Sequence, residues 1–324
     1  MGKKVIVTGG AGFIGSNLVE ALLNDPRIDH VRVIDNLSNG NYSNIEEFVG
    51  HKKFDFQNAD IRDYEKMIEL TKGYDVISHQ AALGSVPRSI ENPMLTTEVN
   101  IDGTVNILHA AVVNKIDRVL IACSSSTYGD SPTLPKKEDV IGNPLSPYAI
   151  TKFAIEQYAS VFKKTYDLDF IGFRYFNVFG PKQSPDNPYA AVIPIFCKAF
   201  LEEKSPTING DGVTSRDFTY VTNAVQANVL GIFTEDEKAL NQIYNVACGE
   251  QTSLNEMVDI LKDVSKKDIE AQYGPERKGD VKHSKADISK IKSLLGYVPE
   301  VYFKNGLEKV YNWYKTTYKL SDIG

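Results

Sequence analysis

A glycine-rich loop near the N-terminus constrains the fold of this chain most strongly. The apolar run at residues 3–8 predicts a buried strand, and glycines follow at Gly9, Gly12 and Gly15. Residues 16–23 have helical character. Glycine permits a tight turn and a close approach of the backbone to a pyrophosphate, and the amides at a helix N-terminus stabilise that anion. The pattern therefore predicts the strand–loop–helix unit that binds a dinucleotide.

An acidic residue at the end of the next apolar run indicates which dinucleotide binds. Residues 31–35 predict a second strand that ends in Asp35, twenty residues after Gly15. A carboxylate at this place accepts hydrogen bonds from the adenosine ribose and repels a ribose phosphate. The sequence therefore predicts NAD, rather than NADP, as the cofactor.

Strand and helix patterns alternate through the first half of the chain. Further strands are predicted near residues 53–58, 75–79, 118–123 and 169–175, and helices near residues 63–71, 94–114 and 148–166. This alternation predicts an α/β protein with a doubly wound parallel sheet, the Rossmann arrangement, with helices on both faces.

The composition changes after Phe179, where prolines become frequent. This change predicts that an NAD-binding domain at residues 1–179 is followed by a smaller, mixed α/β substrate domain, which makes up most of residues 180–324. An apolar run near residues 241–246 predicts a strand that rejoins the main sheet. The boundary between the two domains is therefore not expected to be a single cut.

A tyrosine and a lysine that are spaced by one helical turn form the candidate catalytic site. Tyr148 and Lys152 lie on the same face of the predicted helix. A phenol has a pKa of about 10, and a nearby ammonium favours the phenolate, so we expect Lys152 to lower the pKa of Tyr148. The hydroxyl of Ser124 can pass a proton between substrate and phenolate. This trio suits the removal of a proton from a sugar or alcohol hydroxyl while a hydride leaves the same carbon.

The composition of the chain argues against several other functions. The net charge of −6 disfavours nucleic-acid binding, and no apolar run approaches the roughly 20 residues that a membrane span needs. The chain enters a predicted strand at once, so we expect no signal peptide. Three cysteines, distant from one another in the sequence, fit reduced thiols, and no pair of the five histidines has metal-ligand spacing. We therefore expect a cytoplasmic enzyme without a metal site.

Several motifs together carry a resemblance to a known family. The glycine loop, Asp35, Ser124 and the pair of Tyr148 and Lys152 resemble the extended short-chain dehydrogenase/reductase family over essentially the whole chain. Within that family, the chain is most similar to the nucleotide-sugar 4-epimerases that act on UDP-N-acetylhexosamines. The resemblance implies an NAD-dependent interconversion of UDP-N-acetylglucosamine and UDP-N-acetylgalactosamine through a transient 4-keto sugar.

The resemblance also implies which residues bind the cofactor. Asp60 and Ile61 resemble a pair that contacts the adenine, and residues 79–82 resemble the strand end beneath the nicotinamide. Lys152 is expected to bond the nicotinamide ribose, and Asn100 resembles a structural asparagine of the family. The implied cofactor-binding residues are Gly9, Gly12, Phe13, Ile14, Gly15, Asp35, Asn36, Ser38, Gly40, Asp60, Ile61, Gln80, Ala81, Ala82, Asn100, Tyr148, Lys152, Tyr175 and Val178.

A second group of residues is implied to bind a UDP-hexosamine substrate. Arg216 and Arg277 resemble arginines that grip a diphosphate, Asp280 resembles a contact to the UDP ribose, and Asn209 is placed near the uracil. Two guanidinium groups can neutralise a diphosphate with planar, multi-point hydrogen bonds. The implied substrate-binding residues are Ser85, Arg88, Ser124, Ser125, Ser126, Asn177, Val192, Asn209, Arg216, Arg277, Asp280 and Ser284.

Ser284 is the residue that the resemblance makes decisive for the choice of sugar. It falls where a gate stands beside the 2-position of the sugar, and a serine leaves room for a 2-acetamido group where a tyrosine would not. Residues 84–89 match the N-acetylhexosamine subgroup, although plain hexose epimerases tend to have a lysine at the Gly84 position. Arg88 either replaces that charge or bonds a neighbouring loop. Uronic acid substrates therefore stay open.

The sequence leaves alternative chemistries open. Dehydratases of the family place an acid next to the catalytic hydroxyl, but Ser125 and Ser126 follow Ser124, so the elimination of water is disfavoured. A UDP-glucose/UDP-galactose or UDP-glucuronate 4-epimerase is an alternative. A cofactor-sensing regulator that lost the chemistry is another, although the intact catalytic trio argues against it. The resemblance also implies a homodimer, formed through the helices near residues 94–114 and 148–166.

Overall fold

The computed structural model of the chain contains alternating strands and helices and describes residues 2–186, 191–276 and 282–317. Its strands are β1 (Lys3–Thr8), β2 (Ile28–Ile34), β3 (Phe54–Gln57), β4 (Val76–His79), β5 (Arg118–Ser124), β6 (Asp169–Tyr175), β7 (Val178–Phe179), β8 (Thr207–Asn209), β9 (Ser215–Arg216), β10 (Thr219–Tyr220), β11 (Gln242–Val246), β12 (Thr252–Ser253) and β13 (Gln272–Gly274). Its helices are α1 (Phe13–Leu23), α2 (Tyr64–Thr71), α3 (Val86–Glu91), α4 (Pro93–Thr97), α5 (Gly103–Val113), α6 (Pro147–Tyr166), α7 (Val192–Leu201), α8 (Val221–Phe233), α9 (Leu254–Ser265), α10 (Ser289–Leu295) and α11 (Phe303–Thr317).

Seven strands form one large sheet in the order β11-β6-β5-β4-β1-β2-β3. Every neighbouring pair in this sheet is parallel. The chain adds β2 and β3 on one side of β1 and β4, β5 and β6 on the other, so the direction of winding reverses next to β1. This is the doubly wound arrangement, and it confirms the predicted fold class.

Helices cover both faces of the sheet because its central strands bury side chains on both sides. Val5 and Val7 belong to one apolar core and Ile6 to the other, and all three side chains are fully buried. Successive residues of a strand point to opposite faces of a sheet. The first core contains side chains of α1, α8 and α10, and the second contains side chains of α2, α5 and α6. The unbroken apolar sequence of β1 follows from this burial on two faces.

A smaller part of the molecule has its own core. Three two-stranded sheets pair β7 with β10, β8 with β13 and β9 with β12. With α7, α9 and α11 they enclose a third apolar cluster that includes Phe179, Phe196 and Met257. β11 pairs with β6 at the edge of the large sheet, so a strand of the later sequence lies in the first part of the fold. The division into an NAD-binding and a substrate domain stays a prediction.

One long helix differs from the sequence-based expectation. The helix expected at residues 94–114 consists of α4, a π-helical turn at Glu98–Asp102 and α5. It begins after Asn92, whose side chain accepts a hydrogen bond from the N–H of Leu95 at 3.1 Å. Among the helices in the described ranges, none combines the length and the apolar composition of a membrane span.

Candidate active site

A cleft of about 890 Å³ lies where the parallel strands end. Gly9 follows β1, Asp35 follows β2, Gln80 follows β4, Ser124 ends β5 and Tyr175 ends β6, and all five residues line it. Open α/β sheets bind ligands at this edge, where the strand order reverses. The predicted cofactor-binding residues that line the cleft are Gly9, Gly12, Phe13, Ile14, Gly15, Asp35, Asn36, Ser38, Gly40, Asp60, Ile61, Gln80, Ala81, Ala82, Tyr148, Lys152, Tyr175 and Val178.

The glycine loop is packed too closely to admit side chains. A Cβ atom on Gly15 would lie 2.1 Å from the carbonyl oxygen of Gly9. One on Gly9, where φ is +67°, would lie 2.6 Å from the backbone nitrogen of Ala81. Gly12 precedes α1 and caps it without a side chain. The first amides of a helix have no partner inside the helix, so those of α1 can bind an anion.

Asp35 fixes the glycine loop and also lines the cleft. Its carboxylate accepts hydrogen bonds from the backbone N–H groups of Ala11 at 3.0 Å and of Leu37 at 2.8 Å. Burial raises the pKa of Asp35 against the opposing effect of these two hydrogen bonds. A carboxylate has about four lone-pair positions, so about two remain for ribose hydroxyls. The tight loop, the helix amides and this acid fit a dinucleotide with an unphosphorylated ribose.

Asp60 is held rigidly at the cleft by two neighbours. Nη2 of Arg62 donates a hydrogen bond to its carboxylate at 2.8 Å, and Nδ2 of Asn36 donates another at 2.9 Å. The hydrogen bonds of Arg62 lower the pKa of Asp60 to about 2, so this carboxylate stays ionised. Ile61 beside it packs against α5, where a Cβ on Gly103 would come within 2.5 Å of the Ile61 side chain. The predicted adenine-contacting pair therefore has a fixed position.

The start of α6 places the catalytic pair in the cleft. Ser146 caps the helix with its side chain and Pro147 occupies the first helical position, so Tyr148 and Lys152 stand one turn apart. The ammonium of Lys152 donates a hydrogen bond to the carbonyl of Ala122 at 2.7 Å and lies 6.0 Å from the centroid of the Tyr148 ring. Burial lowers the pKa of Lys152 to about 8.

The pKa of Tyr148 is shifted in the direction opposite to the expected one. Burial raises it, and a hydrogen bond with Ser124 opposes the rise. The expected lowering of the Tyr148 pKa is therefore wrong for this structure, because burial outweighs the hydrogen bond with Ser124. The hydrogen bond with Ser124 favours the phenolate.

The serine run forms a short chain of hydroxyls. The hydroxyl of Ser126 donates a hydrogen bond to Oγ of Ser124 at 2.9 Å, and the N–H of Ser126 donates another at 3.1 Å. Because Ser124 accepts both, its own hydroxyl proton is available to Tyr148. Ser124, Ser125 and Ser126 all line the cleft. The structure therefore brings the predicted trio together.

Two polar residues near the cleft have structural contacts instead. Asn100 is not among the described residues that line the cleft; it accepts from the N–H of Leu83 at 2.8 Å and donates to Oγ1 of Thr151 at 3.0 Å. These bonds fasten the segment after β4 to α6. His79 is buried between two threonine hydroxyls, at 2.7 and 2.9 Å, and burial lowers its pKa to about 3. Its imidazole therefore stays neutral near pH 7.

The substrate half of the cleft contains Arg216 and Ser284, which line the same cavity as the catalytic trio. Nη1 of Arg216 donates hydrogen bonds to the carbonyls of Ser215 at 2.9 Å and of Lys282 at 3.2 Å. The N–H of Ser284 donates to the same Ser215 carbonyl at 3.1 Å. The two segments that carry Arg216 and Ser284 are therefore joined directly.

A second cavity of about 320 Å³ adjoins the cleft. Asn177, Val178 and Arg216 line both cavities. Val192 and Asn209 line the second one, so two more predicted substrate residues lie beside the arginine.

Two other predicted substrate residues, Ser85 and Arg88, are not among the described residues that line the cleft. Ser85 caps α3 by accepting the N–H of Arg88 at 3.2 Å, and Nη2 of Arg88 donates to Oδ1 of Asn39 at 3.1 Å. Asn39 lines the cleft, so Arg88 bonds a neighbouring loop, which is one of the two roles expected for it. Arg277 and Asp280 lie outside the described residues.

Lys136 lines the cleft although nothing in the sequence singled it out. Only 3% of its surface is exposed, and its ammonium donates a hydrogen bond to the carbonyl of Ser131. Its N–H donates to the carbonyl of Lys285 at 2.7 Å, which draws it next to the segment of Ser284. In the sequence Lys136 belongs to a charged run at residues 136–139, a pattern typical of a solvated loop.

Comparisons with known proteins agree with this geometry. The NAD dependent epimerase/dehydratase family matches residues 5–247. A putative UDP-glucose 4-epimerase of Methanocaldococcus jannaschii is 39% identical over 96% of this chain and 98% of that protein. The structure of a UDP-N-acetylglucosamine 4-epimerase from Methanobrevibacter ruminantium M1, in complex with UDP-N-acetylmuramic acid, is 40% identical, with a TM-score of 0.91 over 97% of this chain and 99% of that one. A UDP-glucuronic acid 4-epimerase from Bacillus cereus, in complex with UDP-glucuronic acid and NAD, is 33% identical, with a TM-score of 0.90 over 97% of this chain and 99% of that one.

The chain therefore belongs to the NAD-dependent epimerase/dehydratase family, and NAD is its cofactor. Both the family and the cofactor confirm the expectations from the sequence. The fold, the cleft and these relatives together support the NAD-dependent epimerisation of a nucleotide sugar at carbon 4 as its class of reaction.

Proposed function

We propose that the protein is a 4-epimerase that interconverts UDP-N-acetylglucosamine and UDP-N-acetylgalactosamine. The observation that carries the choice of sugar is Ser284, which lines the same cleft as Tyr148 and Ser124. A serine in this wall leaves most of the volume of an aromatic ring to a 2-acetamido group. The similarity to a UDP-N-acetylglucosamine 4-epimerase at 40% identity supports the same choice.

The proposed base is Tyr148, which removes the proton of the sugar 4-hydroxyl either directly or through Ser124. The hydroxyl of Ser126 donates a hydrogen bond to that of Ser124, and Ser124 is hydrogen-bonded to Tyr148. The proton of the sugar hydroxyl can therefore pass along this chain of three side chains. When bound, NAD would supply the hydride chemistry that inversion at carbon 4 through a transient 4-keto sugar requires.

Lys152 is proposed to stabilise the phenolate and to bond the nicotinamide ribose. With a pKa of about 8, its amine is mostly protonated at pH 7. The ammonium is fixed by the Ala122 carbonyl at 2.7 Å and stands 6.0 Å from the centre of the phenol ring. When Tyr148 loses its proton, this buried positive charge attracts the new negative charge.

Elimination of water is not part of the proposal, because no acid stands next to Ser124. Ser125 lines the cleft and Ser126 is bonded to Ser124, and neither hydroxyl is acidic enough to protonate a departing hydroxyl. The alternative that remains is a 4-epimerase for UDP-glucose and UDP-galactose or for UDP-glucuronate.

The nucleotide is proposed to lie across Arg216 and the second cavity. Arg216 lines both cavities and would bind the diphosphate together with Arg277, while Asp280 would contact the UDP ribose. Asn209 and Val192 line the second cavity, which would hold the uridine. In this arrangement residues 180–324 supply most of the nucleotide-sugar site, and residues 1–179 supply most of the NAD site.

A homodimer is also proposed, through the faces of α4 and α6. Large apolar side chains are exposed on these helices: Met94 is 70% exposed, Ile150 54% and Val161 52%. Burying such side chains is the usual driving force of association. Light scattering on a sizing column would show a mass of twice the monomer; a monomer at micromolar concentration would contradict the proposal.

The experiment that tests the proposed reaction uses purified protein without added cofactor. UDP-N-acetylglucosamine, UDP-glucose and UDP-glucuronate are supplied separately, and the products are identified by proton NMR. The proposal predicts that the acetylated sugar is converted to its galacto epimer fastest. Faster conversion of UDP-glucose or UDP-glucuronate would replace the proposed substrate, and no conversion of any sugar would remove the epimerase proposal.

A further inference from the structure

A buried asparagine on α8 is hydrogen-bonded to residues of the cofactor cleft. Asn228 is fully buried, and its Oδ1 accepts hydrogen bonds from Oγ of Ser78 and from Nε2 of Gln80, both at 3.1 Å. Its Nδ2 donates to the hydroxyl of Tyr175 at 2.7 Å and to the carbonyl of Ala224 at 2.8 Å. The side chain therefore makes all four hydrogen bonds that a primary amide can make.

Asn228, Gln80 and Tyr175 form a closed ring of hydrogen bonds. The hydroxyl of Tyr175 donates to Oε1 of Gln80 at 3.2 Å, and Nε2 of Gln80 donates both to Asn228 and to Oγ of Ser78, the latter at 2.9 Å. Both hydrogens of the Gln80 amide are used, so Gln80 has no donor left for a ligand. The main-chain carbonyl of Ala224 fixes the direction of the Asn228 amide, and that amide sets the direction of every bond in the ring.

This ring of hydrogen bonds lies next to the strand end that carries Ser124. Gln80 follows β4 and Tyr175 ends β6, and these two strands flank β5, which ends at Ser124. Gln80 and Tyr175 line the cleft, whereas their polar ends are bonded to Asn228 on α8. The ring therefore determines which parts of the two side chains are available to the cofactor, namely the stem of Gln80 and the ring of Tyr175.

We propose that Asn228 is a positioning residue of the NAD site. Its amide holds Gln80 and Tyr175 in one orientation. The surface against which NAD binds therefore keeps a single shape. Without the amide, the Tyr175 hydroxyl and the Gln80 amide lose buried partners, and both side chains gain other conformations.

A second asparagine on the same helix offers a matched control. Asn223 is also fully buried, and it donates to the carbonyl of Val301 at 2.7 Å and accepts from the N–H of Glu300 at 3.0 Å. These partners belong to the segment between α10 and α11 and do not line the cleft in the described part of the chain. Replacing either asparagine by leucine therefore removes similar buried hydrogen bonds, but only one replacement acts on the NAD site.

The test measures how fast bound NAD leaves the intact protein, at a temperature well below unfolding of every variant. Each protein is purified with its NAD and mixed with an excess of isotopically labelled NAD, and the exchange is followed by mass spectrometry. We expect Asn228→Leu to exchange about tenfold faster than the wild type, which corresponds to the loss of roughly one buried hydrogen bond's worth of binding. We expect Asn223→Leu to exchange at the wild-type rate even where its melting temperature falls equally.

Equal exchange rates in the two leucine variants would overturn the proposal, since Asn228 would then act on stability alone. Tyr175→Phe provides a second test that does not depend on α8, because it removes only the hydroxyl that closes the ring. If Asn228→Leu does not fold, faster exchange in Tyr175→Phe supports the proposal and an unchanged rate overturns it.

Discussion

The two halves of the cleft are built in different ways. In the cofactor half, backbone packs on backbone: Gly9 and Gly15 leave no room for a Cβ atom, and Asp35 fixes the loop through two N–H groups. In the substrate half, Arg216 and Ser284 project from short segments that are joined through the carbonyl of Ser215. In the substrate half, side chains rather than closely packed backbone are therefore expected to contact the ligand.

Substitutions in the two halves of the cleft are therefore expected to affect different properties of the protein. A substitution in the cofactor half alters the packing of the fold together with NAD binding, because the same atoms serve both. Under the proposed function, a substitution at Arg216 or Ser284 is expected to change which nucleotide sugar binds and to leave the sheet intact. One fold can serve several functions through the residues of the site that it carries.

The largest effect is expected where the two halves meet, at Tyr148. Replacing it with phenylalanine keeps the ring but removes the base, so we expect kcat to fall by about 10²–10⁴-fold. The NAD content of the purified protein should stay at the wild-type level. Turnover is measured by proton NMR, and activity near that of the wild type would show that another residue is the base.

A strong effect on both stability and cofactor binding is expected from Gly15→Ala. The added Cβ would lie 2.1 Å from the Gly9 carbonyl, so the loop must move. We expect a loss of about 1–3 kcal/mol in the free energy of unfolding, together with loss of NAD. Gly84→Ala is the control, since a Cβ there meets nothing within 4 Å. Equal changes in melting temperature and in NAD content in the two variants would contradict the role of close packing at Gly15.

In the substrate half, Arg216→Met should raise KM without loosening NAD. Removal of charge-assisted hydrogen bonds to a diphosphate is expected to raise KM by about 10–100-fold. Arg27→Met, an exposed arginine paired with Asp25, is the control and should leave KM unchanged. An unchanged KM in the Arg216 variant would remove Arg216 from the proposed diphosphate site.

A smaller effect is expected from Ser284→Tyr, which narrows the wall beside the sugar. We expect the ratio of kcat/KM for UDP-N-acetylglucosamine to that for UDP-glucose to fall by about tenfold. Ser284→Ala keeps the space and should leave the ratio unchanged. Rates on both sugars, measured side by side, decide whether Ser284 faces the acetamido group; equal loss on both sugars would mean that it does not.

The smallest effect at neutral pH is expected from the titration of Lys152, whose pKa is lowered by burial to about 8. The ammonium is the form below this pKa, so the contribution of Lys152 to kcat/KM should be present below about pH 8 and be lost as the pH rises through it. Lys152→Arg keeps its charge to much higher pH, and any activity that it retains should lack this decline. A flat profile up to pH 9.5 in the wild type would contradict the role of the ammonium.

The cofactor half could be predicted from the sequence because its determinants are local. The glycine loop, α1 and Asp35 belong to one strand–helix–strand unit, and the spacing of its residues reports its geometry. Lys136 lines the cleft, and Asn228 bonds two residues that line it. Both depend on contacts between segments that are distant in the sequence, and a single sequence carries no trace of such pairings. Burial sets the direction of the shift in the Tyr148 pKa, and spacing along a helix does not report how deeply the phenol is buried.

In the proposed reaction, the hydride removed from carbon 4 returns to the same carbon within one active site. The most direct measurement supplies UDP-N-acetylglucosamine that carries deuterium at carbon 4 to the purified protein in ordinary water. We expect UDP-N-acetylgalactosamine with the deuterium retained at carbon 4. Loss of the deuterium to water, or release of a 4-keto product, would contradict it.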